Sequence, residues 1–281
     1  MHVEKMTGRI GAVITGVDLK GSIGDNLAET LRDALAEHQV VVLPDQHLDL
    51  AAQKRLTEAF GPLFRTDYVD HMDGEPFVIR VLKEADEVGG VFGGDWHADF
   101  SFLEQPPVGS VLNGVEVPAH GGDTLWASQM VAWETLPAPL QRLLDGRDAI
   151  HVGKPYGVRW APPADERSGA SIRMRRGDPE ADAERRHPAV FTHPRTGRRG
   201  LFLNPLYVAR LDGLSEAESR PILDQIQRHT LRPEFQVRLR WQPGTVAVWD
   251  NFQTQHYAVN DYHGQRRLMY RTTFGGPPPV H

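Results

Sequence analysis

A pair of residues and a distant singleton constrain this chain most: His97 and Asp99, within Trp96-His97-Ala98-Asp99, and His256, more than half the chain later. In an extended segment alternate side chains point the same way, so His97 and Asp99 face one centre while Ala98 points away. The third donor, His256, must arrive from elsewhere in the fold. Two imidazoles and a carboxylate on one face of an octahedron suit a borderline metal that must bind and activate a gas, because the other positions stay open. A lone His-x-Asp is a weak signal, since most histidines are hydrogen-bonded core or surface residues. The weight therefore falls on what surrounds His256.

The segment Trp249 to Val259, which holds His256, precedes a run from Gln265 to Phe274 that alternates like a strand. Arg267, Met269 and Arg271 share one face of it. At about 13 Å between the two α-carbons, the guanidinium groups could grip different anions flanking one centre; the plainer alternative is a pair of surface arginines on an edge strand. Upstream, Phe235 to Trp241 alternates, Pro243-Gly244 reads as a turn, and Thr245 to Trp249 completes an expected hairpin. Helices are expected from Gly24 to His38, with Leu27, Leu31, Ala34 and Leu35 on one stripe, and from Leu50 to Phe60, capped by Asp49 and stopped by Gly61. A third opens at the capping box Ser215-Glu216-Ala217-Glu218 and extends toward Thr230. Val40-Val41-Val42-Leu43 reads as a buried strand. Strands outnumber helices in the second half, and short strands with Gly-rich breaks suit a jelly roll.

Composition narrows the chemistry. The 281 residues show no linker and are read as one domain. Zero cysteines removes disulfides, thiolate metal sites and cysteine nucleophiles together, so any metal is held by nitrogen and oxygen. A formal charge of −6 without a basic stripe argues against nucleic acid. Met1-His2-Val3-Glu4-Lys5 lacks an export pattern and no apolar run is long enough to span a bilayer, so a cytoplasmic protein with no membrane partner is expected. Between residues 164 and 187 the chain loses periodicity and holds six acidic residues and six arginines. Such a stretch reads as a solvated surface loop, or as a mobile lid over a site.

These motifs resemble the iron(II)- and 2-oxoglutarate-dependent dioxygenases of the taurine dioxygenase and 2,4-dichlorophenoxyacetate dioxygenase family. The resemblance is carried by Trp96-His97-Ala98-Asp99, Gly121-Gly122-Asp123-Thr124, Phe235-Gln236-Val237-Arg238 with Trp241, Trp249-Asp250-Asn251 through His256, and the arginines eleven and fifteen residues after His256. It runs from Gly11 to Gly276 and implies a mostly β double-stranded β-helix, a cupin-like jelly roll, with flanking helices. It also implies that His97, Asp99 and His256 bind Fe(II), that Thr124 and Arg267 hold the distal carboxylate of 2-oxoglutarate, and that Arg271 anchors a small anionic organic substrate. The expected reaction consumes O2 and converts 2-oxoglutarate to succinate and CO2 while hydroxylating a substrate C–H bond. Halogenating relatives lack the carboxylate at the place of Asp99, which favours hydroxylation. Relatives imply a homo-oligomer, a dimer or tetramer.

Departures from the pattern point away from taurine itself. Thr66, Val69 and Gly93 stand where taurine dioxygenase has a histidine, a tyrosine and an asparagine that contact the small zwitterion. The expected substrate is a sulfonate, alkyl sulfate or aryloxyalkanoate, with Phe92, Trp96, Phe100, Phe102 and Tyr68 as candidate apolar walls. Trp249 either contacts the cosubstrate or simply fills the barrel. The alternatives are taurine dioxygenase proper, a non-catalytic metal- or 2-oxoglutarate-binding barrel, and a zinc hydrolase with the same ligands.

Overall fold

The computed structural model describes residues 1–160 and 171–281. In chain order the strands are β1 His2–Lys5, β2 Ala12–Thr15, β3 Val40–Leu43, β4 Ile79–Lys83, β5 Gly109–Glu116, β6 Thr124–Ser128, β7 Asp148–His151, β8 Arg185–Pro188, β9 Val190–Thr192, β10 Arg199–Leu201, β11 Val208–Leu211, β12 Gln236–Leu239, β13 Val246–Asp250, β14 Thr254–Ala258 and β15 Arg267–Phe274. The helices are α1 Asp25–His38, α2 Leu50–Glu58, α3 Gln129–Glu134, α4 Ala138–Leu144 and α5 Glu216–Thr230. Among the described residues the large sheet runs β1-β2-β3-β13-β5-β15-β4, and a three-stranded sheet, β12-β6-β14, faces it.

The central strands are buried on both faces, which is why they read as continuous apolar runs. Val40 and Val42 of β3, with Ala247 and Trp249 of β13, pack inward beside Leu112, Trp126 and Trp241. Their neighbours Val41, Leu43, Val246 and Val248 pack on the outer side with Leu31 and Leu35 of α1 and Leu56 of α2. Burying each such aliphatic side chain contributes roughly 1.5–3 kcal/mol, so the helices seal the back of the large sheet while its front is left for the interior.

The expected caps are in place. Asp49 accepts from the Ala52 N–H at the start of α2, and Ser215 and Glu218 form the reciprocal capping box of α5. The expected hairpin is not. β12 pairs with β6, whereas β13 lies between β3 and β5, so Pro243-Gly244 carries the chain from one sheet to the other. The physical reason is burial: β12 alternates and sits at an edge, while β13 is buried at all five positions and requires a central place. Of the apolar-poor segment, residues 164–170 lie outside the described residues. Its remainder is tied down, with the Asp70 N–H donating to the Arg173 carbonyl, the Arg175 N–H to the Tyr68 carbonyl, and β8 joined to β7.

Candidate active site

The site forms where β14 and β15, from opposite sheets, approach each other. His256 is central in β14, opposite Trp126 of β6. The other edge of β14 receives His97 through reciprocal backbone bonds, His97 N–H to His256 O at 3.1 Å and His256 N–H to His97 O at 2.8 Å. The extended strand expected around His97 is thus a single antiparallel bridge, which suffices to bring the two imidazole centroids within 4.1 Å. Asp99 Oδ1 lies 3.4 Å from the Nε2 atoms of both histidines. One ligand atom from each of the three buried residues falls within 4.8 Å of the others.

The protonation states fit a metal. His97 Nδ1 stands 2.7 Å from the Asp95 carbonyl oxygen; a carbonyl only accepts, so Nδ1 carries a proton and Nε2 is the nitrogen turned toward Asp99. Burial, with His97 adjacent, lowers the His256 pKa to about 4, which leaves that ring neutral at pH 7. Burial pushes the Asp99 carboxyl up, but Arg271 and His256 outweigh it and hold the group well below the usual carboxylate range. Arg271 Nη2 lies 2.6 Å from Asp99 Oδ2, and the Ser110 hydroxyl donates to the same oxygen at 3.1 Å. Oδ1 is left for the histidines' side of the site.

Asn251, a residue with no role assigned from the sequence, holds Asp99 in place, and Phe100 adds a turn beside it. Asn251 clamps its backbone from both sides, accepting from the Asp99 N–H at 2.6 Å and donating through Nδ2 to the Asp99 and Pro107 carbonyls, each at 2.9 Å. Phe100 turns the chain immediately afterwards at φ +45°, a conformation costing on the order of 1–3 kcal/mol for a side chain of this size. Its ring lies over the Arg271 guanidinium at 5.8 Å.

On one side of the triad a cavity gathers Thr124, Arg267, Arg271, Trp249 and His256. Trp241 Nε1 donates to the Thr124 hydroxyl at 2.9 Å, so the hydroxyl proton is free to donate onward. The stem of Arg267 lies against Gly122, where a Cβ would stand 3.2 Å from Arg267 Cδ and the φ of +70° already favours glycine. Among the described residues Arg267 has no carboxylate within 4.0 Å; its Nε, the Nε of Arg271 and Nε1 of Trp249 are buried without a partner. Burial lowers the Arg267 pKa. A buried guanidinium with an unused donor beside a free hydroxyl could hold a carboxylate.

On the other side a second cavity reaches His97 and Asp99 and is walled by Phe92, Phe100, Tyr156, Met174, Leu206 and Tyr207. Phe92 and Phe100 were among the expected walls. Tyr68 and Phe102 stand behind, packed on Tyr156, and Trp96 packs on Tyr257 instead. Gly93 borders both cavities at φ +79°, and a Cβ there would lie 3.4 Å from His97 Cε1. Thr66 and Val69 line neither.

The buried histidines also predict an acid limit. Burial lowers the pKa of His151, His187 and His256. Between about pH 6.5, where histidines of the unfolded chain titrate, and the lowered folded values, only the unfolded state takes up these protons, so stability falls with acidification. With a chelator present, calorimetry is expected to show the melting temperature dropping by about 5 °C or more from pH 7.5 to pH 5. A flat profile would contradict neutral burial of these rings.

The fold is a jelly roll whose interior gathers two imidazoles and one carboxylate, a donor set that could hold a borderline metal. The sequence profile of the family described as taurine catabolism dioxygenase TauD, TfdA family matches residues 2–273, and the chain belongs to that family. It is 37% identical over 281 residues to an alpha-ketoglutarate-dependent sulfate ester dioxygenase of Pseudomonas putida, covering 100% of this chain and 91% of the relative. It is 35% identical over 278 residues to an alkylsulfatase of Acinetobacter baylyi, covering 98% and 85%. The crystal structure of a taurine dioxygenase from Burkholderia xenovorans superposes with a TM-score of 0.81 at 31% identity, over 99% of this chain and 92% of that one. Among the described residues no helix is long and apolar enough to cross a membrane.

Proposed function

We propose that the chain is an Fe(II)- and 2-oxoglutarate-dependent dioxygenase that hydroxylates a C–H bond of a small anionic substrate, with sulfate esters as the favoured class. The observation that carries this reading is the convergence of three buried residues, His97, Asp99 and His256, with Arg271 paired to Asp99 and Arg267 in the same cavity beside His256. The donor set fits iron: two imidazoles, one ionised carboxylate and no sulfur. When bound, iron(II) supplies the activation of dioxygen and the coupled oxidation of 2-oxoglutarate and substrate.

The chain's own residues place the reactants. Thr124 and Arg267 hold the distal carboxylate of 2-oxoglutarate; Arg271, one of whose amino groups is already committed to Asp99, turns its remaining donors to the substrate anion. The apolar walls exclude water. Hydroxylation at the carbon bearing a sulfate ester gives R–CH(OH)–OSO3⁻, which fragments to an aldehyde and hydrogen sulfate, while 2-oxoglutarate and O2 become succinate, CO2 and the inserted hydroxyl. The names of the two curated relatives support the sulfate ester class over taurine, as does the absence of side-chain polar groups at Thr66, Val69 and Gly93 from the cavities.

The test is succinate formation by protein given Fe(II), ascorbate, 2-oxoglutarate and air, with His97→Ala as control and a panel of linear alkyl sulfates, aryloxyalkanoates, larger sulfonates and taurine. Succinate stimulated most by alkyl sulfates is the expected result. Taurine at the top of the panel would reassign the substrate, sulfate release without oxygen would mean a hydrolase, and no succinate despite bound iron would leave a binding barrel. Within the active panel, Arg271→Ala is expected to raise the substrate KM about 30-fold or more while that of 2-oxoglutarate moves far less, the cost of removing one partner of a buried ion pair. The reverse pattern would exchange the roles of the two arginines.

A further inference from the structure

The substrate-side cavity contains a polar pair that the reading above leaves unused. Tyr156 and Tyr207 both line it, two phenols close enough to act on each other's titration, in a wall that is otherwise largely apolar. Neither ring is free to swing. Tyr156 packs on Tyr68 at 5.1 Å, and Phe102 lies between the two tyrosines, 5.5 Å from Tyr156 and 5.1 Å from Tyr207. The Tyr207 backbone N–H donates to Asn204 Oδ1 at 2.9 Å, Asn204 Nδ2 donates to the Ser101 hydroxyl at 2.9 Å, and that hydroxyl is 2.9 Å from His151 Nδ1. Tyr207 is therefore tied through one side chain to a residue two positions beyond Asp99.

Counting donors gives the pair a task. Two phenols carry two O–H groups, and a hydrogen bond between them would consume only one; at least one proton is left to find an acceptor, because a buried donor left unpaired is costly. Burial raises both phenols above their ordinary range, Tyr156 to about 12, so both remain neutral donors at any working pH. Arg271 has given Nη2 to Asp99, and one guanidinium so committed cannot cover the several oxygens of a sulfate. We propose that Tyr156 and Tyr207 are specificity-determining residues, one phenol O–H donating to the substrate oxygen that Arg271 leaves uncovered while Phe100, Met174 and Leu206 take the carbon chain. This rests on the substrate class proposed above.

The experiment measures binding apart from turnover. Hexyl sulfate is titrated calorimetrically under nitrogen into the full chain loaded with Fe(II) and 2-oxoglutarate, for wild type, Tyr156→Phe, Tyr207→Phe and the double variant. Each substitution deletes only a hydroxyl, and either single variant suffices should the double fail to fold. Loss of a hydrogen bond to a charged group is expected to weaken Kd about tenfold or more in at least one single variant. In air the same variant should show a raised KM for hexyl sulfate with the KM for 2-oxoglutarate within about twofold. Equal Kd in wild type and both single variants overturns the assignment, as does a wild type that does not bind hexyl sulfate. Tyrosine-dependent binding without succinate formation would instead sustain the assignment and sink the reaction proposed above.

Discussion

Asp99→Ala is expected to reduce succinate formation by more than about 100-fold, since even residues that only orient metal ligands cost 10–100-fold, and to lower the melting temperature as well. The second effect follows from the double use of this carboxylate. Oδ1 faces the imidazoles, while Oδ2 is the counter-ion of Arg271, whose side chain is 4% exposed. Removing one partner of a buried ion pair strands the other, at about 3–5 kcal/mol, or a fall of roughly 6 °C or more for a chain of this size. Replacing both partners by apolar groups is often neutral. Asp99→Ala/Arg271→Met should therefore regain much of the melting temperature and none of the activity, whereas His97→Ala should lose activity without the fall. Calorimetry with parallel succinate assays separates the two roles; an Asp99→Ala protein as stable as wild type would show that Arg271 finds another partner.

The divided role of Asp99 marks the limit of what the chain discloses as a string. The His-x-Asp spacing and the motif after Trp249 single out His97, Asp99 and His256, and the structure brings the three together, though around a single bridge rather than a strand. The contacts that orient the ligands demand only that some polar atom arrive, and it arrives from far off: Asn251 reaches Asp99 across 152 residues, Trp241 reaches Thr124 across 117, and Ser110 reaches Arg271 across 161. Asn251 and Trp241 were visible inside motifs, yet nothing local states what they hold. Tyr156 and Tyr207 lie in no motif. The misplaced hairpin has the same origin. A turn signature fixes where the chain bends but not which sheet each arm joins, and the contrast between alternating β12 and uniformly buried β13 was the available clue.

Arg267 offers the converse of Asp99, a charge whose removal should cost function and no stability. It is 4% exposed, has no carboxylate within 4.0 Å among the described residues, and its guanidinium lies 6.0 Å from the Tyr262 ring. A guanidinium in that state is only partly compensated, by the more distant Asp123 and Tyr262, which fits a role toward an anion that the polypeptide does not provide. Arg267→Met keeps much of the apolar stem against Gly122 and discards the charge. The ligand-free variant is expected to melt at or above the wild-type temperature, while the upward shift that 2-oxoglutarate gives the wild type disappears, because stabilisation by a ligand follows its affinity for the folded state. The KM for 2-oxoglutarate should rise about 30-fold or more, and Arg267→Lys should recover only part of it, since an ammonium cannot present the planar fork. A variant that loses stability on its own but still responds to 2-oxoglutarate would make Arg267 a structural cation and move the cosubstrate's distal carboxylate to Arg271.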